Sequence, residues 1–282
     1  MLYPDAKSWH AAPHKSVLFF GMSGLGKTHV SKMLVQQGNW FHYSVDYRIG
    51  TSGMYGHIKD NLIAHAMREP FLAQMLRQDT INIEPNIHDH DLSAVSAYLG
   101  KPGNPEKGGL PMAEYTRRQS QFREAEIKAL VDTPTFMERA QRLYGYPHFI
   151  CDTGGSICEW IDPKDNNDPL LAKLAEHCLL VWIKGTEDHS QELIRRFDRT
   201  PKPMAYEPAF LERVWSEYLN ENNCSEGDVD PDTFIRWTYA QALAHRQPRY
   251  AAMARHGITV TAEDIYAVTS STEFEALIAS KL

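Results

Sequence analysis

One stretch of this chain combines residue types and spacing suited to binding phosphate. Gly21-Met22-Ser23-Gly24-Leu25-Gly26-Lys27-Thr28 matches G-x-x-x-x-G-K-[ST]. It follows the apolar run Val17-Leu18-Phe19-Phe20 and opens a helical pattern through Leu34. The motif therefore stands in its required context of strand, turn and helix. Gly21, Gly24 and Gly26 let the backbone curl so that successive N–H groups, that of Ser23 among them, converge on one anion. The following helix N-terminus adds partial positive charge. Lys27 suits the β- and γ-phosphates of a nucleotide, and the Thr28 hydroxyl suits Mg²⁺. ATP and Mg²⁺ are the cofactors this motif predicts.

Other candidates follow in the chain. Asp152 ends the apolar run Phe149-Ile150-Cys151, where a carboxylate in such proteins holds Mg²⁺; capping the next helix is the alternative. Gly154 and Gly155 leave bare backbone against which a substrate can lie. Asp46 closes the second apolar run, where it can accept or orient a hydroxyl proton, or else cap a helix. Arg123 and Arg246 offer guanidinium forks for a carboxylate. Arg123 also stands three residues before Glu126, so a plain i,i+3 ion pair would explain both. A basic, proline-broken stretch carries Arg195, Arg196, Arg199 and Lys202-Pro203.

These residues need a parallel sheet to bring them to one edge. Strands are expected at Ser16–Phe20, Trp40–Val45, Phe149–Cys151, Leu179–Lys184 and Ile258–Val260. Helices are expected at His57–Gln78, Pro111–Val131, Thr135–Tyr144, Pro169–His177, Glu187–Phe197, Glu207–Leu219, Pro231–His245 and Glu273–Ser280. Residues 1–15 read as an irregular lead-in, and 79–91 and 101–109 as turn-rich connections. The fold class is α/β: a three-layer P-loop NTPase core with a parallel sheet, plus mostly helical insertions.

Net charge is −7, from 29 basic and 36 acidic residues, so no global basic field invites nucleic acid or an anionic membrane. An anionic substrate must be met by locally placed Arg and Lys. The cysteines, Cys151, Cys158, Cys178 and Cys224, form no C-x-x-C pair, which argues against a zinc site or disulfide framework and for a reduced cytoplasmic setting. No secretory signal is legible at the start, and the longest apolar run, about 178–183, is too short to span a bilayer. The final Ser280-Lys281-Leu282 would be a peroxisomal address in a eukaryote, or a helix end. His88-Asp89-His90-Asp91 reads as a polar turn rather than a metal site. Asp228-Val229-Asp230-Pro231-Asp232 lacks the Gly and Glu that a calcium loop needs. Trp215, Tyr218, Trp237 and Tyr239 read as helix-packing residues.

The order of these features resembles shikimate kinase, in the nucleoside-monophosphate-kinase-like branch of P-loop proteins. Asp46 stands at that family's substrate-hydroxyl aspartate. Phe122-Arg123-Glu124-Ala125-Glu126 matches its FRxxE helix, whose Arg grips the substrate carboxylate. Thr153-Gly154-Gly155 stands at its triple glycine, Arg195, Arg196 and Lys202-Pro203 at its lid, and Arg246-Gln247-Pro248-Arg249-Tyr250 at its second carboxylate-binding Arg. Ser44 departs from the family's Asp-x-Asp, Thr153 from a glycine and Lys202 from a lid Arg. The chain is also longer, with its excess between Asp46 and Arg123 and between the lid and Arg246. The resemblance implies phosphoryl transfer to a small, carboxylate-bearing acceptor, with Lys27, Asp46, Arg199 and Lys202 catalytic. It divides the chain into core (1–52), helical acceptor-binding insertion (53–145), core (146–199), lid and helical insertion (200–245) and closing core (246–282). A P-loop ATPase, or a nucleotide-gated binding module with a partner protein, is the alternative.

Overall fold

The computed structural model describes residues 1–88, 91–162, 165 and 167–282. In chain order it runs Ala6–Ala11 (α1), Ser16–Phe20 (β1), Lys27–Gln36 (α2), Trp40–Ser44 (β2), Val45–Arg48 (α3), Tyr55–Ala66 (α4), Pro70–Arg77 (α5), Ser93–Leu99 (α6), Met112–Val131 (α7), Thr133–Tyr144 (α8), His148–Asp152 (β3), Pro169–His177 (α9), Leu179–Lys184 (β4), Glu187–Arg199 (α10), Pro208–Glu221 (α11), Pro231–Met253 (α12), Ile258–Thr261 (β5), Ala262–Ala267 (α13) and Ser271–Lys281 (α14).

The five strands form one parallel sheet in the order β2-β3-β1-β4-β5. β1 lies in the centre, and all five of its residues are buried. A strand covered on both faces must be apolar on both, as Val17-Leu18-Phe19-Phe20 is. The fold is thus α/β, with helices surrounding a parallel sheet. Register fixes the functional edge. Phe19 of β1 stands level with Asp152 of β3, and Asp152 stands level with Ser44 of β2. The three chain segments leaving these strands, which carry the phosphate loop, Asp46 and Gly154, therefore emerge side by side, where open α/β sheets bind ligands.

The helices depart from the sequence-based expectation in several places, and the short α3 and α13 lie where none was expected. Residues 1–15 are not irregular: α1 is held by a capping box between Asp5 and Ser8, and it buries Trp9, whose Nε1 donates to the Glu275 carbonyl. The helix expected over 57–78 is two helices. Pro70 starts the second, and the Glu69 side chain accepts the Leu72 N–H as its cap. α6 occupies a stretch for which no helix was expected. α12 runs on past His245 through Pro248 to Met253. A mid-helix proline costs about 3 kcal/mol. Anchors on both sides of it offset that cost: Arg246 donates to Glu159 and the Ala205 carbonyl, and Arg249 to the carbonyls of Cys158 and Ile161.

The aromatic residues of α11 and α12 pack as expected. Trp215 and Tyr218 meet Phe234 edge-on, and Tyr218 meets Trp237. Asp230 caps α12 by accepting the Thr233 N–H. The four cysteines are free thiols. Among the described residues no helix is long and apolar enough to cross a membrane. Asp89 and His90 of the His-Asp-His-Asp turn lie outside the described residues.

Candidate active site at the strand ends

The phosphate loop leaves β1 and enters α2 with Gly24 and Gly26 at φ +77° and +94°, a region that L side chains rarely adopt. Lys27 is buried, and its Nζ donates to the carbonyls of Gly21 (3.0 Å) and Met22 (2.8 Å) within its own loop. Burial pushes its ammonium pKa down, while the nearby carboxylates of Asp152 and Asp46 pull it back up. The Thr28 Oγ1 donates to Asp152 Oδ2 at 2.9 Å. Asp152 is thus tied to the loop by a direct bond instead of capping a helix. His42 on β2 brings its Nε2 to 3.5 Å from the same carboxylate oxygen. From outside, the Tyr266 hydroxyl donates to the Gly24 carbonyl.

Asp46 sits in the first turn of α3, and the cap of that helix is Ser44, whose side chain accepts the Tyr47 N–H. This gives Ser44 a structural task and leaves the Asp46 carboxylate unused by the helix. That carboxylate lies over Gly154: a Cβ at Gly154 would stand 2.5 Å from Asp46 Oδ1. Asp46 keeps some exposure, but the walls around it remove most of the solvent, and this pushes its carboxyl up to about 6. The Asp152 charge adds to the rise, and Lys27 opposes it.

Two cavities meet here. One of about 310 Å³ is lined by Gly26, Lys27, Thr28, Asp152 and Tyr266. The other, about 640 Å³, opens between α6, α7, α10 and α12. Ser23, Gly24, Asp46, Gly154 and Gly155 line both. Asp46 thus stands at the junction of a phosphate-binding cavity and a second, larger one.

Arg246 reaches the larger cavity from α12. It is buried, with Nε 2.6 Å from Glu159 Oε1 and Nη2 2.6 Å from the Ala205 carbonyl. Burial works against both charges, but each keeps the other ionised: Glu159 is held below its ordinary pKa and Arg246 above its own. The remaining Nη1 has no hydrogen bond among the described residues and lies 3.6 Å from where a Cβ on Gly155 would stand. The Tyr250 hydroxyl, one turn along, fixes Gly155 through its carbonyl.

Arg123 does not join this group. It is exposed, it lies over the Trp160 ring with 5.9 Å to the centroid, and it lines a separate cavity of about 410 Å³ with Tyr206, Leu211 and Trp215. The expectation that it grips a substrate carboxylate beside Arg246 is corrected. Helix periodicity explains the difference. Phe122, Ala125, Glu126 and Ala129 form the buried face of α7, and Arg123, about 100° round the helix from Phe122, falls at the exposed edge of that face. The ion pair with Glu126 does not form either. Glu126 is wholly buried and accepts hydrogen bonds from Ser156 Oγ (2.6 Å) and Trp160 Nε1 (2.8 Å). Burial pushes its carboxyl up to about 7.

Arg195 and Arg196 are exposed on α10, and both pair with Glu192. Arg196 and Lys202 line the larger cavity; Arg199 is exposed at the helix end and lines neither cavity. Leu92, Val95 and Leu99 also line the larger cavity, and sequence reading passed over them. Their i, i+3, i+7 spacing was a legible signal of a helix face. Glu126 could have been read the same way, from its place among Phe122, Ala125 and Ala129.

No protein-family model matches this chain, and no curated protein matches it. Among solved structures it is similar to a shikimate kinase from Bacteroides thetaiotaomicron, with 14% sequence identity, a TM-score of 0.38, and coverage of 94% of this chain and 95% of that one. At that level of likeness the site rests on its own geometry.

Proposed function

We propose that this protein is a P-loop kinase that transfers the γ-phosphoryl group of ATP to the hydroxyl of a small anionic acceptor. The observation that carries this reading is the shared wall of the two cavities. A nucleotide phosphate chain at Gly21–Thr28 and a second molecule in the larger cavity would meet at Asp46, Gly154 and Gly155. A bare ATPase needs room for a water there, not a second cavity of about 640 Å³.

Thr28 and Asp152 fit a magnesium ion: a hydroxyl and a carboxylate, already within hydrogen-bonding distance, on the wall of the phosphate cavity. Bound there with water and phosphate oxygens, the ion would neutralise charge on the transferred group. Among the described residues no cluster of three or more His, Cys, Asp or Glu gathers, in keeping with a site that borrows most of its ligands from substrate and solvent. Lys27 would exchange its two loop carbonyls for phosphate oxygens. Asp46 would accept the acceptor's hydroxyl proton as that oxygen bonds to the γ-phosphorus; the bridging P–O bond breaks and ADP leaves. Arg246 Nη1 would meet the acceptor's anionic group, with Arg196 and Lys202 closing from α10 and the segment after it.

ATP consumption measured against a panel of hydroxylated acids, sugars and nucleosides tests this. At least one acceptor should raise turnover well above the rate in water. If none does while ATP is hydrolysed unaided, the protein is an ATPase.

A further inference from the structure

The character of the larger cavity narrows the acceptor, and this step rests on the kinase reading above. We infer that the acceptor is a hydroxy acid with a bulky apolar body and a single anionic group, not a polyhydroxylated acid. The cavity is lined by the apolar side chains of Ile49, Leu92, Val95, Leu99, Phe122 and Leu243. Five of these are below a tenth exposed: Ile49 at 1%, Val95 at 5%, Leu99 at 4%, Phe122 at 9% and Leu243 at 7%. They come from four separate segments, so the apolar surface is a formed concavity.

Two hydroxyls of the cavity lining are committed, while those of Ser23, Ser96, Thr200 and Tyr239 make no side-chain hydrogen bond among the described residues. Ser156 Oγ donates to Glu126, and Tyr250 donates to the Gly155 carbonyl. The Tyr239 ring stacks on Phe197 at 3.8 Å and lies on the wall as a face. Arg196 and Lys202 are exposed. The charged groups of the lining that are not exposed are the Asp46 carboxylate, suited to one hydroxyl, and Arg246, whose Nη1 suits one anion.

A ring of hydroxyls placed here would face aliphatic side chains. Each buried hydroxyl left without a partner costs about tenfold in binding. An aromatic or branched aliphatic body gains from the same contact. The transfer step is unchanged: the lone hydroxyl oxygen bonds to the γ-phosphorus of ATP, the bridging P–O bond breaks, and Asp46 takes the proton.

The test compares two sets of acceptors on the full chain with Mg²⁺ and ATP, reading ADP release and confirming the phosphorylated product by mass spectrometry. One set is apolar hydroxy acids: phenyllactate, mandelate and hydroxyisocaproate. The other is polyhydroxylated acids: shikimate and gluconate. The apolar set should give kcat/KM at least about tenfold higher. Val95→Thr and Leu99→Asn, checked for folding by nucleotide binding, should each narrow that ratio by raising KM for the apolar set. If shikimate or gluconate is the better acceptor, or the ratio is unmoved in variants that bind nucleotide normally, the inference is overturned and the kinase reading stands. If neither set nor any other hydroxylated compound raises turnover above the water rate, the kinase reading itself falls, and this inference with it.

Discussion

Asp46 sits under opposing demands. A base for a hydroxyl proton must be ionised, yet its surroundings disfavour the charge and push its carboxyl up to about 6. Two consequences follow. Acceptor turnover should fall as pH drops through about 6, because the protonated acid cannot take the proton; a pH profile of kcat/KM reads this limb. Stability runs the other way. Between its ordinary 3.8 and about 6 the folded state holds a proton that the unfolded state has released, so stability declines as pH rises through that window and stays lower above it. Asp46→Asn removes the penalty. It should lower acceptor turnover by about 10²–10⁴-fold. It should also raise unfolding stability by an amount on the order of 1–3 kcal/mol at pH 8, with little gain at pH 4. Denaturation at the two pH values measures this. Gly154→Ala probes the same contact from the other side. Its Cβ would displace the end of the Asp46 side chain while meeting no backbone, so the fold should survive and turnover should drop at least about tenfold. Asp46 was legible because it closely follows a strand beside the phosphate loop. Arg123 was misplaced because a motif spacing does not say which side of a helix faces the cavity.

At the scale of elements, α7 links the cavity wall to the loop after β3. Its Glu126 holds Ser156 and Trp160 through one oxygen, while the other, Oε1, is buried without a partner among the described residues. With its carboxyl pushed up to about 7, Glu126 loses folding stability as pH rises from its ordinary 4.5 through that value. Glu126→Gln keeps an oxygen for both donors and carries no charge. The difference in stability between variant and wild type should therefore grow in the variant's favour from pH 5 to pH 9, as read by chemical denaturation. Glu126→Ala strands two buried donors and should cost about 2–4 kcal/mol at pH 5, and less at pH 9, where the wild type carries the buried charge. Arg123→Ala, on the exposed side of the same helix, should leave KM for the acceptor within about twofold.

The sheet was readable to within a residue or two, because buried parallel strands are short apolar runs with turns behind them. The helices that were missed are short. α1 and α6 have six and seven residues, and each is held by a buried tryptophan or by cavity-wall side chains more than by its own propensity. The end of α12 was lost at Pro248, where local sequence rules favour a stop and the bonds of Arg246 and Arg249 override them.

At the scale of the molecule, α10, with the segment after it, borders the larger cavity. Its three arginines are exposed, and two are paired only with Glu192 on their own helix. Such i,i+3 and i,i+4 surface pairs contribute only a few tenths of a kcal/mol, so they are readily given up for a phosphate. Leu193 and Phe197 on the same helix already line the larger cavity. Movement of α10 would thus bring cationic and apolar groups over the reactants together and exclude the water that would otherwise hydrolyse ATP. Non-hydrolysable ATP with Mg²⁺ at a hundredfold excess over its Kd should stabilise the fold by about 2.7 kcal/mol, and Lys27→Met should remove most of that gain. Hydrogen exchange separates binding from closure. Nucleotide alone should protect the phosphate loop and the start of α2. Nucleotide with acceptor should also slow exchange across residues 187–205, and Arg196→Ala should reduce that second protection without affecting the first. Equal protection of 187–205 with and without acceptor would mean that α10 does not close in response to the second substrate.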